Sequence, residues 1–225
     1  MLASFGIIFV SFWVYRVISL GSFRSFKVVF YYVGSFEDGK AVLEITRRIG
    51  ACKGLFNKLT RFWTHAAISL KRKLQVFQSI IVSKLTYGLA GLWLGIAEQR
   101  RVDAFQNYWL RRILRIPSAY MSRVRNEEVL RRASQKQLSK VVLRSQLKLF
   151  GEVARLRPSD PLRAATFHGA GLTPVTSAFV RNRGRPRHTW AEQLLQHSAR
   201  LCGGLSKVDE AIYDESMWTR IIDML

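Results

Sequence analysis

KAVLEITRRIGACKGLFNKLTRFW, residues 40–63, decides how the chain folds, because Val42, Ile45, Ile49, Cys52, Phe56, Leu59 and Trp63 recur at every third or fourth position. That period belongs to the α-helix, and about six turns of it predict one long amphipathic helix with a single apolar stripe. Gly50 and Gly54 fall inside the stretch. Each costs about 1 kcal/mol relative to Ala in a helix interior, so the pair predicts a neighbouring element packed closely against them. Just upstream the pattern changes. Phe26, Val28, Val29, Phe30, Tyr31, Tyr32 and Val33 are β-branched or aromatic, and Gly34-Ser35 and Asp38-Gly39 bound them, which predicts a strand followed by a turn.

Downstream the helical period continues. Ser69 has the N-cap chemistry to open a second helix with the stripe Leu74, Phe77, Ile81 and Leu85, closed at Tyr87-Gly88. Lys71, Arg72 and Lys73 crowd its first turn, where cations oppose the helix dipole and an anion opposite them would relieve the cost. A third helix starts near Glu98, carries Val102, Phe105, Trp109, Ile113 and Ile116, and must stop before Pro117. Asn126 is expected to cap a short helix. A fourth long helix then follows with the stripe Leu138, Val142, Leu149, Val153 and Leu156. Its flank of Lys140, Arg144, Lys148 and Arg155 reads equally as a solvated face or as a rail for phosphates. Residues 158–187 lose all periodicity and read as a Gly/Pro-rich linker or long loop. Thr189 and Glu192 form a capping box for a helix ended by Gly203-Gly204, and Ser206 starts the last one. The expected fold is therefore mainly α, with a short N-terminal β-hairpin or strand, a helical bundle and a C-terminal helical module.

The charge is as lopsided as the pattern is regular. The 225 residues hold 36 Lys+Arg against 15 Asp+Glu, a formal charge of +21, with 48% apolar residues to build a core. Such an excess points to a polyanionic partner, with nucleic acid first and anionic membrane second. Two cysteines, Cys52 and Cys202, provide no disulfide framework, and with the four scattered histidines they have no zinc spacing, so neither metal nor cofactor is expected. No Asp-Asp pair, phosphate-binding Gly-rich loop, nucleophile elbow or H-E-x-x-H motif accompanies the few acids and histidines, so catalysis by this chain alone is not expected. Residues 1–26 form a hydrophobic leader. Arg16 interrupts its apolar run, and a signal peptide, a membrane anchor and a hydrophobic element from a larger core all compete for it.

Arg183-Gly184-Arg185-Pro186-Arg187 carries a mechanism of its own. Gly184 and Pro186 keep the backbone narrow and extended while the arginines reach sideways, which suits a narrow minor groove. The alternative is a basic loop leading into a helix.

Taken in order, one set of short motifs points further. They are Tyr32-Val33-Gly34-Ser35 with Asp38-Gly39, Glu44-Ile45, Arg48-Ile49, Ser69-Leu70-Lys71, Tyr87-Gly88 and Trp93. Then come Asp103-Ala104-Phe105-Gln106, Leu110-Arg111-Arg112-Ile113-Leu114, Arg125-Asn126-Glu127-Glu128-Val129-Leu130, Phe150-Gly151, Gly184-Arg185-Pro186, Trp190, and Asp214 with Trp218. Their order and spacing resemble the region downstream of the palm in non-LTR (LINE-type) retrotransposon reverse transcriptases. The resemblance covers roughly residues 30–218 and departs from the family at Glu152, where a His is common, and at Glu215, where an Arg is usual.

The resemblance implies a primer-grip-like strand at Tyr32, Val33 and Gly34. It implies a thumb-like domain over residues 27–157, a basic linker over 158–188 and a C-terminal module over 189–225. It further implies that Lys71, Arg72, Lys73, Arg111 and Arg112 meet the backbone of a DNA or RNA duplex, since a thumb holds its product through phosphates. The family's catalytic aspartates and their Mg lie in the palm, so the implied partner for chemistry is a palm-bearing chain. The rival expectation is a basic membrane-associated protein anchored by the leader.

Overall fold

The computed structural model describes residues 41–175 and 189–225. The strand expected near Tyr32, the leader, and the Arg183 to Arg187 segment lie outside them. The described residues are mainly helical and contain one isolated β-bridge, between Phe167 and Pro174, and no strand.

The founding stripe of residues 40–63 does form a helix, α1 (Ala41–Lys58), followed after a break at Leu59 by the short α2 (Thr60–Thr64). Ile45, Cys52, Phe56 and Trp63 are its buried residues. Gly50 and Gly54 behave otherwise than expected. A Cβ at either would meet nothing within 4 Å, so no described element packs closely there.

The next helix runs opposite to α1 in three pieces, α3 (Leu70–Val76), a π-helical stretch (Phe77–Val82) and α4 (Ser83–Thr86). Ser69 caps α3 as expected, its hydroxyl accepting from the Arg72 N–H at 3.3 Å. The antiparallel pairing shows in three contacts. The ring of Phe56 meets that of Phe77 at 6.4 Å, the Cys52 thiol lies 3.6 Å from the Ile81 carbonyl, and Arg48 donates to the carbonyls of Leu85, at 3.3 Å, and Tyr87. Arg48 thereby closes the C-terminal end of α4, whose orphan carbonyls have no partner within the helix. Glu44 holds Arg48 in place, accepting from its Nε at 2.5 Å.

The third helix, α5 (Ile96–Leu114), lies parallel to α1, since Arg101 reaches Thr46 near their starts and Trp109 stacks 3.9 Å from Phe56 near their ends. Phe56 also stacks on Trp63 at 4.6 Å. Aromatic pairs of this kind add about 0.5–1.5 kcal/mol each beyond their area burial. Residue Arg115 terminates α5 in the left-handed region at φ 56°, two residues ahead of Pro117. Two short helices follow, α6 (Ala119–Ser122) and α7 (Asn126–Arg132). Asn126 does not cap α7. Its Oδ1 instead accepts from Arg111 at 3.0 Å, and that stronger, charge-assisted donor takes the oxygen the cap would have used.

Helix α8 (Leu138–Ala154) carries the rest of the fold. Its N-terminus has no local cap, and α5 closes it from outside. Asp103 accepts from the Ser139 N–H at 2.8 Å, the Ser139 hydroxyl at 2.8 Å and the Gln137 amide at 2.6 Å. Gln106 accepts from the Leu138 N–H and donates to the Lys136 carbonyl, both at 2.9 Å. Onto α8 pack α9 (Pro161–Thr166), α10 (Trp190–Cys202), α11 (Leu205–Tyr213) and α12 (Glu215–Asp223).

Residues 158–175 are thus structured, not linker. Asp160 caps α9 through the Leu162 N–H at 2.9 Å, Phe167 is buried, and the buried Arg163 donates to the carbonyls of Ala170 and Gly171. The expected last helix is two helices, because Asp214 leaves helical geometry and caps α12 through the N–H groups of Ser216 and Met217. The C-terminal helices are packed on α8 instead of standing apart, and residues 39–225 make one compact unit. Gly151 of α8 is where Trp218 of α12 enters, since a Cβ there would lie 2.3 Å from Nε1 of the indole, which donates to the Leu147 carbonyl at 3.1 Å.

Three outcomes test this arrangement. Asp103→Ala should lower unfolding free energy by about 1–3 kcal/mol in a urea titration, the cost of orphaning the first N–H groups of α8. Gly151→Ala should destabilise by about 1–3 kcal/mol through overpacking against an indole that cannot retreat. For Glu44, the hydrogen bonds from Arg47 and then Arg48 hold its carboxyl down to about 2, against an ordinary 4.5. A depressed carboxyl stabilises above the ordinary value and loses that contribution as pH falls toward the folded one. The difference in melting temperature between wild type and Glu44→Gln should therefore be constant above pH 4.5 and shrink between about 4.5 and 2.

Candidate nucleic-acid interface

Antiparallel pairing of α1 with α3, and parallel pairing of α1 with α5, bring three helix termini to one end of the bundle. These are the C-terminus of α1, the N-terminus of α3 and the C-terminus of α5. The sequence places cations at each: Lys58 at the end of α1 and Arg61 in α2 just after it, Lys71 and Arg72 at the start of α3, and Arg112 and Arg115 at the end of α5. All six residues are exposed. Of the acids of these helices, Glu44 and Glu98 lie at the opposite end, in the first turns of α1 and α5, and Asp103 lies midway along α5, where it is taken up by Gln137 and Ser139.

Residues 45–97 and 104–126 contain no Asp or Glu at all. The acids nearest the cationic end are Glu127 and Glu128, in the first turn of α7. Glu128 is already occupied, accepting from Arg131 at 2.7 and 2.8 Å and from Arg132 at 2.7 Å. Those hydrogen bonds, Arg131's first, hold its carboxyl near 2. At physiological salt, screening extends over about 8 Å, so neighbouring charges at this end act on one another and on any anion presented to it.

The residues expected from sequence to touch phosphate divide in two. Lys71, Arg72 and Arg112 stand in solvent at this end, and the Arg112 guanidinium is held over the rings of Trp109 at 5.2 Å and Phe56 at 5.9 Å. Lys73 and Arg111 do not. Lys73 is 6% exposed and donates to the His65 carbonyl at 2.9 Å, fastening the turn between α2 and α3. Arg111 is 7% exposed, and its two terminal nitrogens donate to the Pro117 and Val124 carbonyls, the Ser122 hydroxyl and Asn126 Oδ1 at 2.6 to 3.3 Å. Its charge is used to hold residues 117–126 against α5.

Both could be anticipated in part. Lys73 stands four residues before Phe77, on the apolar stripe, and Arg111 stands four after the buried Asn107. Lys58, Arg61 and Arg115 were not singled out by motif, although the two acid-free runs mark them in the sequence. The basic flank of α8 is broken as well. Arg144 pairs with Asp223, and Arg155 donates to the Ile212 carbonyl at 3.0 Å, leaving Lys140 and Lys148 exposed.

Among the described residues no three His, Cys, Asp or Glu side chains gather as metal ligands, and no helix is long and apolar enough to cross a membrane. No family model, curated protein or solved structure matches the chain.

The division between fixed and free arginines has a direct test. Arg111→Ala should cost about 2–4 kcal/mol of stability, because it leaves the Val124 carbonyl and Asn126 Oδ1 without their donor and takes a second donor from the Pro117 carbonyl and the Ser122 hydroxyl. Arg112→Ala should cost about 1 kcal/mol or less, the worth of an exposed cation–π contact, in the same urea titration.

Proposed function

We propose that this chain holds a nucleic-acid duplex through its phosphates, in the manner of the thumb region of a non-LTR reverse transcriptase, and performs no polymerisation itself. On this reading the polymerase carboxylates and their Mg belong to a palm supplied by a further segment or a second chain. The observation that carries the reading is the meeting of three helix ends at one end of the bundle. Six exposed cations come together there from two runs of sequence, 45–97 and 104–126, that hold no Asp or Glu. Charges distributed over several helix ends suit an extended polyanion better than a single small anion.

A contact set of this kind binds DNA or RNA with little preference for sequence, because phosphates are alike whatever the bases. Arg183, Gly184, Arg185, Pro186 and Arg187 would add a minor-groove arm to the same duplex. The palm-bearing partner would meet the primer-grip-like residues Tyr32, Val33 and Gly34.

Duplex affinity should fall linearly with log salt, with about 0.9 in slope for each phosphate neutralised. Replacing Lys71, Arg72 and Arg112 together by Gln should make the slope shallower by about 2 to 3, while replacing Lys140 and Lys148 should leave it unchanged. A salt-independent wild type overturns the proposal. So does a chain lacking residues 1–22 that sediments with anionic vesicles and ignores duplex, a result that favours the basic, membrane-associated alternative.

A further inference from the structure

We infer that an unpaired strand of nucleic acid, continuing from the duplex at the cationic end, lies in a groove between α3 and the turn after α7. The inference rests on the duplex-holding reading and adds a second subsite to it. The groove has a volume of about 600 Å³. That is within the range of roughly 300–1,000 Å³ over which folded proteins enclose small organic ligands.

One wall is the face of α3 and the π-helical stretch that carries Lys71, Gln75 and Gln78, and the other is Arg132 with Gln135. Lys71 joins the groove to the cationic end, because it also stands in the first turn of α3. Arg132 binds Glu128 through Nε only, so among the described residues its two terminal nitrogens keep their donors free. Positive charge therefore stands at both walls of the groove, with the backbone of a strand as its complement.

The neutral groups decide between a duplex and a single strand. The side-chain amides of Gln75, Gln78 and Gln135 make no hydrogen bond among the described residues, although all three line the same space. Each offers two donors and an acceptor in one plane, the arrangement that pairs with a base edge. A duplex turns the Watson–Crick edges inward and shows only its groove edges, whereas an unpaired nucleotide presents every edge. Leu70, 45% exposed at the mouth, and Leu74 supply the apolar surface on which a sugar or base packs.

The π-helical stretch serves the same end. It inserts an extra residue into the turn, so that Gln78 and Ser79 reach the groove while Phe77, Ile81 and Val82 stay buried. Irregular turns of this type are rare and concentrate at working sites.

The test uses the full chain with two probes, a blunt DNA duplex and the same duplex carrying a few unpaired nucleotides, compared by fluorescence anisotropy at one salt concentration. The overhang should tighten binding about fivefold or more, the gain expected from one good bidentate pair with a base edge. Gln75→Ala with Gln78→Ala, and separately Arg132→Gln, should abolish that advantage and leave blunt-duplex affinity in place. Because these residues are exposed, the variants keep the wild-type urea midpoint. Equal wild-type affinity for the two probes, or an overhang advantage untouched by the variants, overturns the groove assignment while the duplex reading stands. Failure of the wild type to bind the blunt duplex overturns the duplex reading instead.

Discussion

The carboxylate of Asp103 and the amide of Gln106 close the N-terminus of α8 from a neighbouring helix, and the C-terminal half of the molecule depends on that closure. A helix start leaves N–H groups without partners, and Gln137, the residue at the cap position, does not satisfy them. Once α8 is fixed against α5, its other faces receive everything that follows. The indole of Trp218 seats on Gly151, the indole of Trp190 donates to the Ala90 carbonyl at 2.9 Å, and Gln146 donates to the Leu92 carbonyl. Each of these is a buried donor matched to a backbone acceptor on a different element. Helix ends are joined by side chains reaching across the fold.

Arginine is used in the same way, and this divides the positive charge into two populations. Arg48, Arg111, Arg155 and Arg163 direct their guanidinium groups at backbone carbonyls, and all but Arg155 satisfy two carbonyls at once. Lys73 does the same with a single ammonium. These charges are structural. The six exposed cations at the meeting of three helix termini are directed at no such carbonyl among the described residues. A motif containing two adjacent arginines hides the distinction: Arg111 is fixed inside and Arg112 stands outside, one residue and about 100° of helix apart.

Periodicity made the helices legible. The stripes through Ile45, Cys52 and Phe56, through Phe77, Ile81 and Leu85, and through Val102, Phe105 and Trp109 are buried where the sequence places them. Caps within reach of their own helix were legible too, as at Ser69 and Thr189. What escaped was anything supplied from a distance. Asn126 has cap chemistry but gives its oxygen to Arg111, and Asp103 has none of the position of a cap yet acts as one. Residues 161–166 form a helix of under two turns, too short for a period to register, and Asp214 divides a stripe that reads as continuous. Gly50 and Gly54 suggested a close approach that belongs instead to Gly151, whose significance lies in a tryptophan 67 residues later. The motifs that suggest a reverse transcriptase thumb are largely these joints, so they speak first to how the helices are fastened. The candidate site emerges from their consequence, the convergence of helix ends.

On the duplex-holding reading proposed above, that separation of duties bears on how a strongly cationic chain would remain folded when a polyanion leaves. If the same side chains both closed helix ends and gripped phosphate, release of the nucleic acid would change the hydrogen bonding of the core. Here the donors of Lys73 and Arg111 are committed to backbone and side-chain oxygens, while Lys71, Arg72 and Arg112 already stand in solvent. On that reading, dissociation would orphan no buried group. The free state would keep only the repulsion among exposed like charges, which physiological salt screens over about 8 Å, and the binding free energy would come chiefly from displaced counterions and not from any remaking of the fold.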